Sequence, residues 1–100
     1  MSSLFMQTDD PYTLFVGDYL DYSVTYSRWL RAGDVIIASA WEVVGEPPPF
    51  NVGDESFTMS MTVVWLEALL VRPSCEVINH VTTSDGRRVS VPLHFRIVNV

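Results

Sequence analysis

Apolar and polar residues alternate along most of this chain, and the alternation breaks at glycine, proline and Asp-Gly corners. Tyr22, Val24 and Tyr26 share one parity while Asp21, Ser23 and Thr25 take the other, as on a half-buried strand. Ser27 offers a helix N-cap and Gly33 a left-handed stop, so Arg28 to Arg31 has room for about one helical turn. Asp34 then restarts an extended run that ends at Trp41. Upstream, Asp9-Asp10-Pro11 reads as a turn and Tyr12 to Val16 as a short strand before Gly17.

After Trp41 comes Gly45-Glu46-Pro47-Pro48-Pro49, whose three prolines cannot donate ladder hydrogen bonds and favour a stiff connector, long enough to cross between two sheets. From Ser56, Phe57, Met59, Met61, Val63 and Trp65 share a parity, with Thr58, Ser60 and Thr62 on the opposite, wet side. This reads as one half-buried strand or as two joined end to end. Val64 to Val71 contains good helix formers, but Val63, Val64 and Pro73 favour a strand followed by a loop. Cys75 to Thr83 is a clear strand, and Asp85-Gly86 predicts a type I′ hairpin into a last strand running from Arg88 towards Val100. On that last strand Val89, Val91, Leu93, Phe95 and Ile97 form the apolar face and Ser90, His94 and Arg96 the wet one. Pro92 removes a ladder donor, so the strand is at an edge, bulged or open there. The expectation is an all-β fold: an immunoglobulin-like or fibronectin-like β-sandwich of about six to seven antiparallel strands. Residues 1–17 form an N-terminal arm or short strand, and 18–100 a single sandwich domain.

The net charge of −6, from twelve acids against six arginines and no lysine, argues against nucleic-acid binding. The longest nearly uncharged run, around Thr62 to Val71, is interrupted by Glu67 and falls well short of the ~20 residues of a membrane span. Leu4-Phe5-Met6 lacks the basic flank and length of a signal peptide. Cys75 is the single cysteine, so no internal disulfide is expected.

Candidate chemistry is sparse. His80 and His94 fall on wet faces and read as surface histidines, and Cys75 shares a parity with Val77 and Val81 and reads as a small core residue. A hydrolase using Cys75 and His80 is the weakest alternative. Asp9, Asp10, Asp18 and Asp21 lack the spacing of a calcium loop and read as solvated carboxylates. No glycine-rich phosphate loop, zinc spacing or nucleophile elbow is present, so no catalytic residue, cofactor or metal is assigned. Trp41 and Trp65 sit in strand patterns and are read as core, whereas Trp29 caps the sandwich or docks on another chain. The interface candidates are Trp29, the apolar loop residues Leu69, Leu70 and Val71, Ile78 on an otherwise polar face, and Leu4, Phe5 and Met6 near the N-terminus.

The series Asp10-Pro11, Leu20-Asp21-Tyr22, Ser27-Arg28-Trp29-Leu30, Gly33-Asp34-Val35-Ile36 and Trp41 resembles the small phage fiber-tail adaptor proteins. Val64-Trp65-Leu66, Cys75 to Thr83 and Gly86 continue the resemblance through the second half. The chain departs from that pattern at Thr25-Tyr26, where the family has Asp-Trp, at Ala68 to Val71, where it has a glycine-rich turn, and at Cys75, often Tyr. The resemblance implies an immunoglobulin-like virion protein, made in the host cytoplasm, that joins portal or tail-tube proteins to tail fibers. Identical copies at such a location form a ring. It carries over no catalytic residue. The alternative from the residues is a sandwich module that binds carbohydrate or peptide through surface aromatics.

Overall fold

The computed structural model describes residues 11–99. They contain seven strands and no helix: β1 (Tyr12–Phe15), β2 (Tyr19–Thr25), β3 (Ile36–Val43), β4 (Phe50–Phe57), β5 (Met61–Ala68), β6 (Arg72–Thr83) and β7 (Arg88–Val98). One sheet has the order β1-β7-β6-β3 and the other β2-β5-β4. The polyproline connector takes the chain from β3 in the first sheet to β4 in the second, the crossing its stiffness predicts.

Inward residues of both sheets close on one core, which includes Leu14, Val24, Tyr26, Phe50, Val64, Leu66, Val77, Phe95 and Ile97. Phe95 is its aromatic hub, with Tyr12, Tyr22 and Phe50 rings at centroid distances of 5.5, 5.0 and 5.0 Å. The apolar face of β7 is placed as its alternation predicts, with Val91, Leu93, Phe95 and Ile97 buried.

Several sequence expectations change. Not every strand pair is antiparallel: β1 runs parallel to β7, from Tyr12 beside Phe95 to Phe15 beside Val98. β1 leaves its sheet at Gly17 and feeds β2 in the other, so no hairpin forces it to reverse. β1 covers only this end of β7; among the described residues no strand flanks β7 on that side at Pro92, which explains how the proline is tolerated. The single turn expected after Ser27 forms but does not extend into a helix. The Tyr26 carbonyl accepts from the amides of Trp29 and Leu30 at 2.9 and 3.0 Å, giving an isolated turn. One turn has too few bonds to offset its nucleation cost, and Gly33, with φ of 83°, turns the chain back towards β3.

The largest change lies between Phe50 and Ala68. Here β4 and β5 form an antiparallel hairpin, and Thr58 to Ser60, read as strand, make its turn. Thr58 Oγ1 accepts from the amides of Ser60 and Met61 at 3.3 and 3.2 Å, a side chain taking the place of a ladder partner. Thr62, Val64, Leu66 and Ala68 point inward, opposite to the expected parity. Trp65 is therefore not core: it lies half-buried on the outer face, its ring 5.1 Å from that of Tyr19. β5 is apolar on both parities, so alternation alone does not choose its inner face. Trp41 packs against the core as expected, half-buried.

The β6–β7 hairpin forms, but not as type I′. Asp85 keeps a negative φ while Gly86 has 83°, and the Gly86 amide bonds the Thr83 carbonyl at 2.9 Å. A type I turn followed by a left-handed glycine leaves three loop residues, the other common hairpin solution.

Candidate functional site

Three places bring the chemically distinctive residues together: the loop end nearest Trp29, the opposite loop end, and the outer face of the four-stranded sheet. At the first, Asp34 is buried at the foot of the β2–β3 loop. Its Oδ1 accepts from Ser84 Oγ at 2.9 Å and from the Asp85 amide at 3.0 Å, and its Oδ2 lies 3.8 Å from Arg87 Nη1. Burial pushes the Asp34 carboxyl up, but the Asp85 amide, the Ser84 and Thr83 hydroxyls and Arg87 outweigh it and hold the group below its ordinary value. Arg87 in turn stacks its guanidinium 3.9 Å over the Trp29 ring and donates to the Trp29 carbonyl at 3.3 Å. Trp29 also meets Tyr26 edge-on, with centroids 6.0 Å apart. Trp29 is thus clamped over its own core while remaining half exposed; Arg28 and Arg31 beside it are exposed.

At the opposite end the β1–β2 turn, the proline connector and the β5–β6 loop are stitched together. The Gly17 amide bonds the Ala68 carbonyl at 2.8 Å, the Ala68 amide the Asp18 carbonyl at 2.9 Å, and the Leu69 amide the Pro49 carbonyl at 2.8 Å. These bonds hold the loop so that Leu69 and Val71 stay exposed, with Leu70 half-buried. Phe15 and Val16, exposed in the adjoining turn, are apolar groups that the sequence pattern did not single out, since a run of five residues before Gly17 shows no period that tells an inner from an outer face. Leu4, Phe5 and Met6 lie outside the described residues.

On the outer face of the four-stranded sheet, Ile78 stands half-buried opposite Pro92 on one side and Glu42 on the other. His80 beside it bonds Ser90 Oγ through Nδ1 at 2.7 Å and Glu42 Oε1 through Nε2 at 2.8 Å, and His94 lies 3.6 Å from Glu76. The Ser90–His80–Glu42 chain has the connectivity of a hydrolase triad. However, it stands on an open sheet face, with the His80 and Glu42 side chains 43% and 57% exposed, where nothing keeps water from a substrate. Cys75 faces the other way, packed against the core, its Sγ 3.7 Å from the Phe95 carbonyl oxygen, and burial pushes its thiol pKa up despite Arg72. Cys75 and His80 therefore occupy opposite faces of β6 and do not meet. Among the described residues no cluster of three or more His, Cys, Asp or Glu could hold a metal ion. Asp18 accepts from the Phe15 amide at 2.9 Å, and Asp21 is exposed on the other sheet.

Compared with known families, residues 16–96 match the podophage GP4 fiber-tail adaptor protein gp77 family. The chain belongs to that family. No curated protein matches it. Membership assigns the chain a structural role in a phage tail and makes it a virion component. The adaptor name implies contact with tail and fiber proteins. The matched span begins at Val16 and takes in the Trp29 clamp and the loop from Leu69 to Val71. No helix among the described residues is long and apolar enough to cross a membrane.

Proposed function

We propose that this protein is a non-enzymatic structural piece of a podophage virion, with an immunoglobulin-like sandwich over residues 18–100 onto which the short N-terminal strand β1 pairs. It sits at the neck or tail and links portal or tail-tube proteins to tail fibers through protein–protein contacts, as several identical copies in a ring. The family match over residues 16–96 carries this reading. Its support in the fold is the supply of apolar side chains left at both loop ends, Phe15, Leu69 and Val71 at one and Ile37 and Met59 at the other. Exposed groups of this kind mark interaction sites when they gather. Trp29, Leu69, Leu70, Val71, Ile78 and the N-terminal Leu4, Phe5 and Met6 are the side chains assigned to those contacts. Mass spectrometry and cryo-electron microscopy of purified virions test it: the chain is expected at the tail or neck against both tail and fiber components. Absence from assembled particles would sink the reading.

One observation favours a second reading, a carbohydrate-binding surface. Tyr19 and Trp65 stack at 5.1 Å and 30° on the outer face of the three-stranded sheet. The Tyr19 ring reaches over Gly53, where its phenol leaves no room for a Cβ. Exposed aromatic faces of this kind suit a sugar ring. Trp65 fluorescence titrated against host-surface glycans tests it, with saturable quenching as the supporting result.

A further inference from the structure

We propose that copies of this chain dock head to tail, the arginine-bearing loop end of one on the acidic loop end of the next. The inference rests on the reading above of several copies in a ring and names the surfaces they use. The β2–β3 loop, the β4–β5 turn and the β6–β7 hairpin with the first residue of β7 share one end. That end holds Arg28, Arg31, Arg87 and Arg88 against Asp34 and Asp85, a formal +2, which leaves −8 for the rest of a chain whose total is −6. Asp34 is already committed to Arg87 and the hairpin, whereas Arg28, Arg31 and Arg88 are exposed.

Amid this positive rim sits an apolar centre. Met59 is 70% exposed, Ile37 55% and Phe57 43%, and the Ile36 amide bonds the Met59 carbonyl at 2.9 Å, which keeps Ile37 and Met59 side by side. The far end has the same anatomy with the sign reversed. Phe15, Val16, Leu69 and Val71 are exposed there, rimmed by Asp18, Glu46 and Glu67. Both arginines towards that end are engaged within the chain: Arg72 turns its guanidinium to the Val71 and Pro47 carbonyl oxygens at 3.0 and 3.4 Å, and Arg96 donates to Thr13 Oγ1 at 3.2 Å.

An apolar centre with a charged rim is the general anatomy of a protein interface, and the two ends complement each other in both respects. Exposed ion pairs contribute roughly 1 kcal/mol or less each, so the charges set orientation and encounter rate while the apolar contact supplies most of the affinity. The two patches are different surfaces. Their contact is therefore heterologous, and it closes into a ring when the rotation per copy permits.

Sedimentation velocity on the full chain tests this. The wild type is expected to form assemblies that grow with concentration and weaken with salt. Met59→Asp and Leu69→Asp should each be monomeric alone, since each spoils one end. Mixed in equal amounts they should form a dimer and nothing larger, because each supplies the end the other lacks. Arg28→Glu with Arg31→Glu should weaken association by about tenfold or more. Circular dichroism establishes that each variant is folded. A wild type that stays monomeric at low salt and high concentration overturns the contact, as does a folded mixture that yields no dimer. A monomeric wild type whose Met59→Asp variant fails to enter virions would give this end to another virion protein and also overturn it. A ring in virions that accepts Met59→Asp unchanged removes this contact and leaves the ring standing. A solution dimer with no ring in virions removes the ring and leaves the contact.

Discussion

The Tyr26 hydroxyl donates to Asn79 Oδ1 at 2.6 Å in the buried space between the two sheets, joining residues 53 apart in the chain. The same oxygen accepts from Thr62 Oγ1 at 2.7 Å, and Asn79 Nδ2 donates to Ser39 Oγ and the Ala40 carbonyl at 3.0 and 3.2 Å. One fully buried amide thus satisfies β5 and the end of β2 in one sheet and β3 in its own. Such a network fixes the relative placement of the sheets, because a shift of either leaves a polar group dry and unbonded.

Removing the amide should cost far more than removing the phenol oxygen. Asn79→Ala removes the acceptor that the Tyr26 and Thr62 hydroxyls share, so a loss of about 3 kcal/mol or more is expected. Tyr26→Phe leaves the amide in place with Thr62, Ser39 and Ala40 and should cost about 1 kcal/mol. The double variant should cost less than the sum by more than ~0.5 kcal/mol, measured by urea denaturation. Additive losses would show that the network is not a unit.

Burial also makes the fold sensitive to alkali. It pushes the Tyr22 phenol up to about 12, helped by the charges of Asp18, Tyr12 and Asp21, and raises Tyr26 further, with the Thr62 hydroxyl opposing. Folded-state values above the unfolded 10.0 mean that the native state keeps protons the unfolded chain releases. The stabilisation is whole below pH ~10 and is lost as pH rises beyond it. Denaturation midpoints taken across that range should fall, and fall less steeply in Tyr26→Phe.

Asp34 predicts the opposite limb. Its carboxyl is held below the unfolded value of 3.8, so its contribution is present above that pH and is lost as pH falls through the folded value. Asp34→Asn should be less stable at neutral pH and should flatten the acid side of the stability profile. Trp29 emission should shift to the red, since Arg87 loses the carboxylate that anchors it over the indole. An unchanged acid limb would count against the clamp.

Neighbouring residues of β5 should respond very differently to truncation. Leu66 is fully buried, and Leu66→Ala should cost about 3 kcal/mol. Trp65→Ala removes a larger but half-exposed side chain and should cost less than about half that. A costlier Trp65→Ala would reverse the facing of the strand.

The last two strands, β6 and β7, the hairpin at Gly86, the inner face of β7 and the crossing at the prolines were legible in the chain itself. Each rests on local chemistry: unbroken alternation, a residue that accepts positive φ, or a ring that cannot donate. Legible too was the family, carried by an ordered series of short motifs. What the chain left open was settled by partners distant in sequence. Val63-Val64-Trp65-Leu66 is apolar on both parities, and it faces as it does because Thr62 finds Asn79 inside while Trp65 finds Tyr19 outside. Thr58 and Ser60 look like strand residues until the Thr58 hydroxyl caps the turn. Leu69 and Val71 stood out in the chain as apolar residues in a loop, whereas the exposure of Phe15, Ile37 and Met59 did not, since alternation marks which residues share a face and only the packing of two sheets decides which face is buried. Tertiary structure alone could place Arg87 over Trp29, because two residues 58 positions apart are brought together by the pairing of strands and not by any local preference.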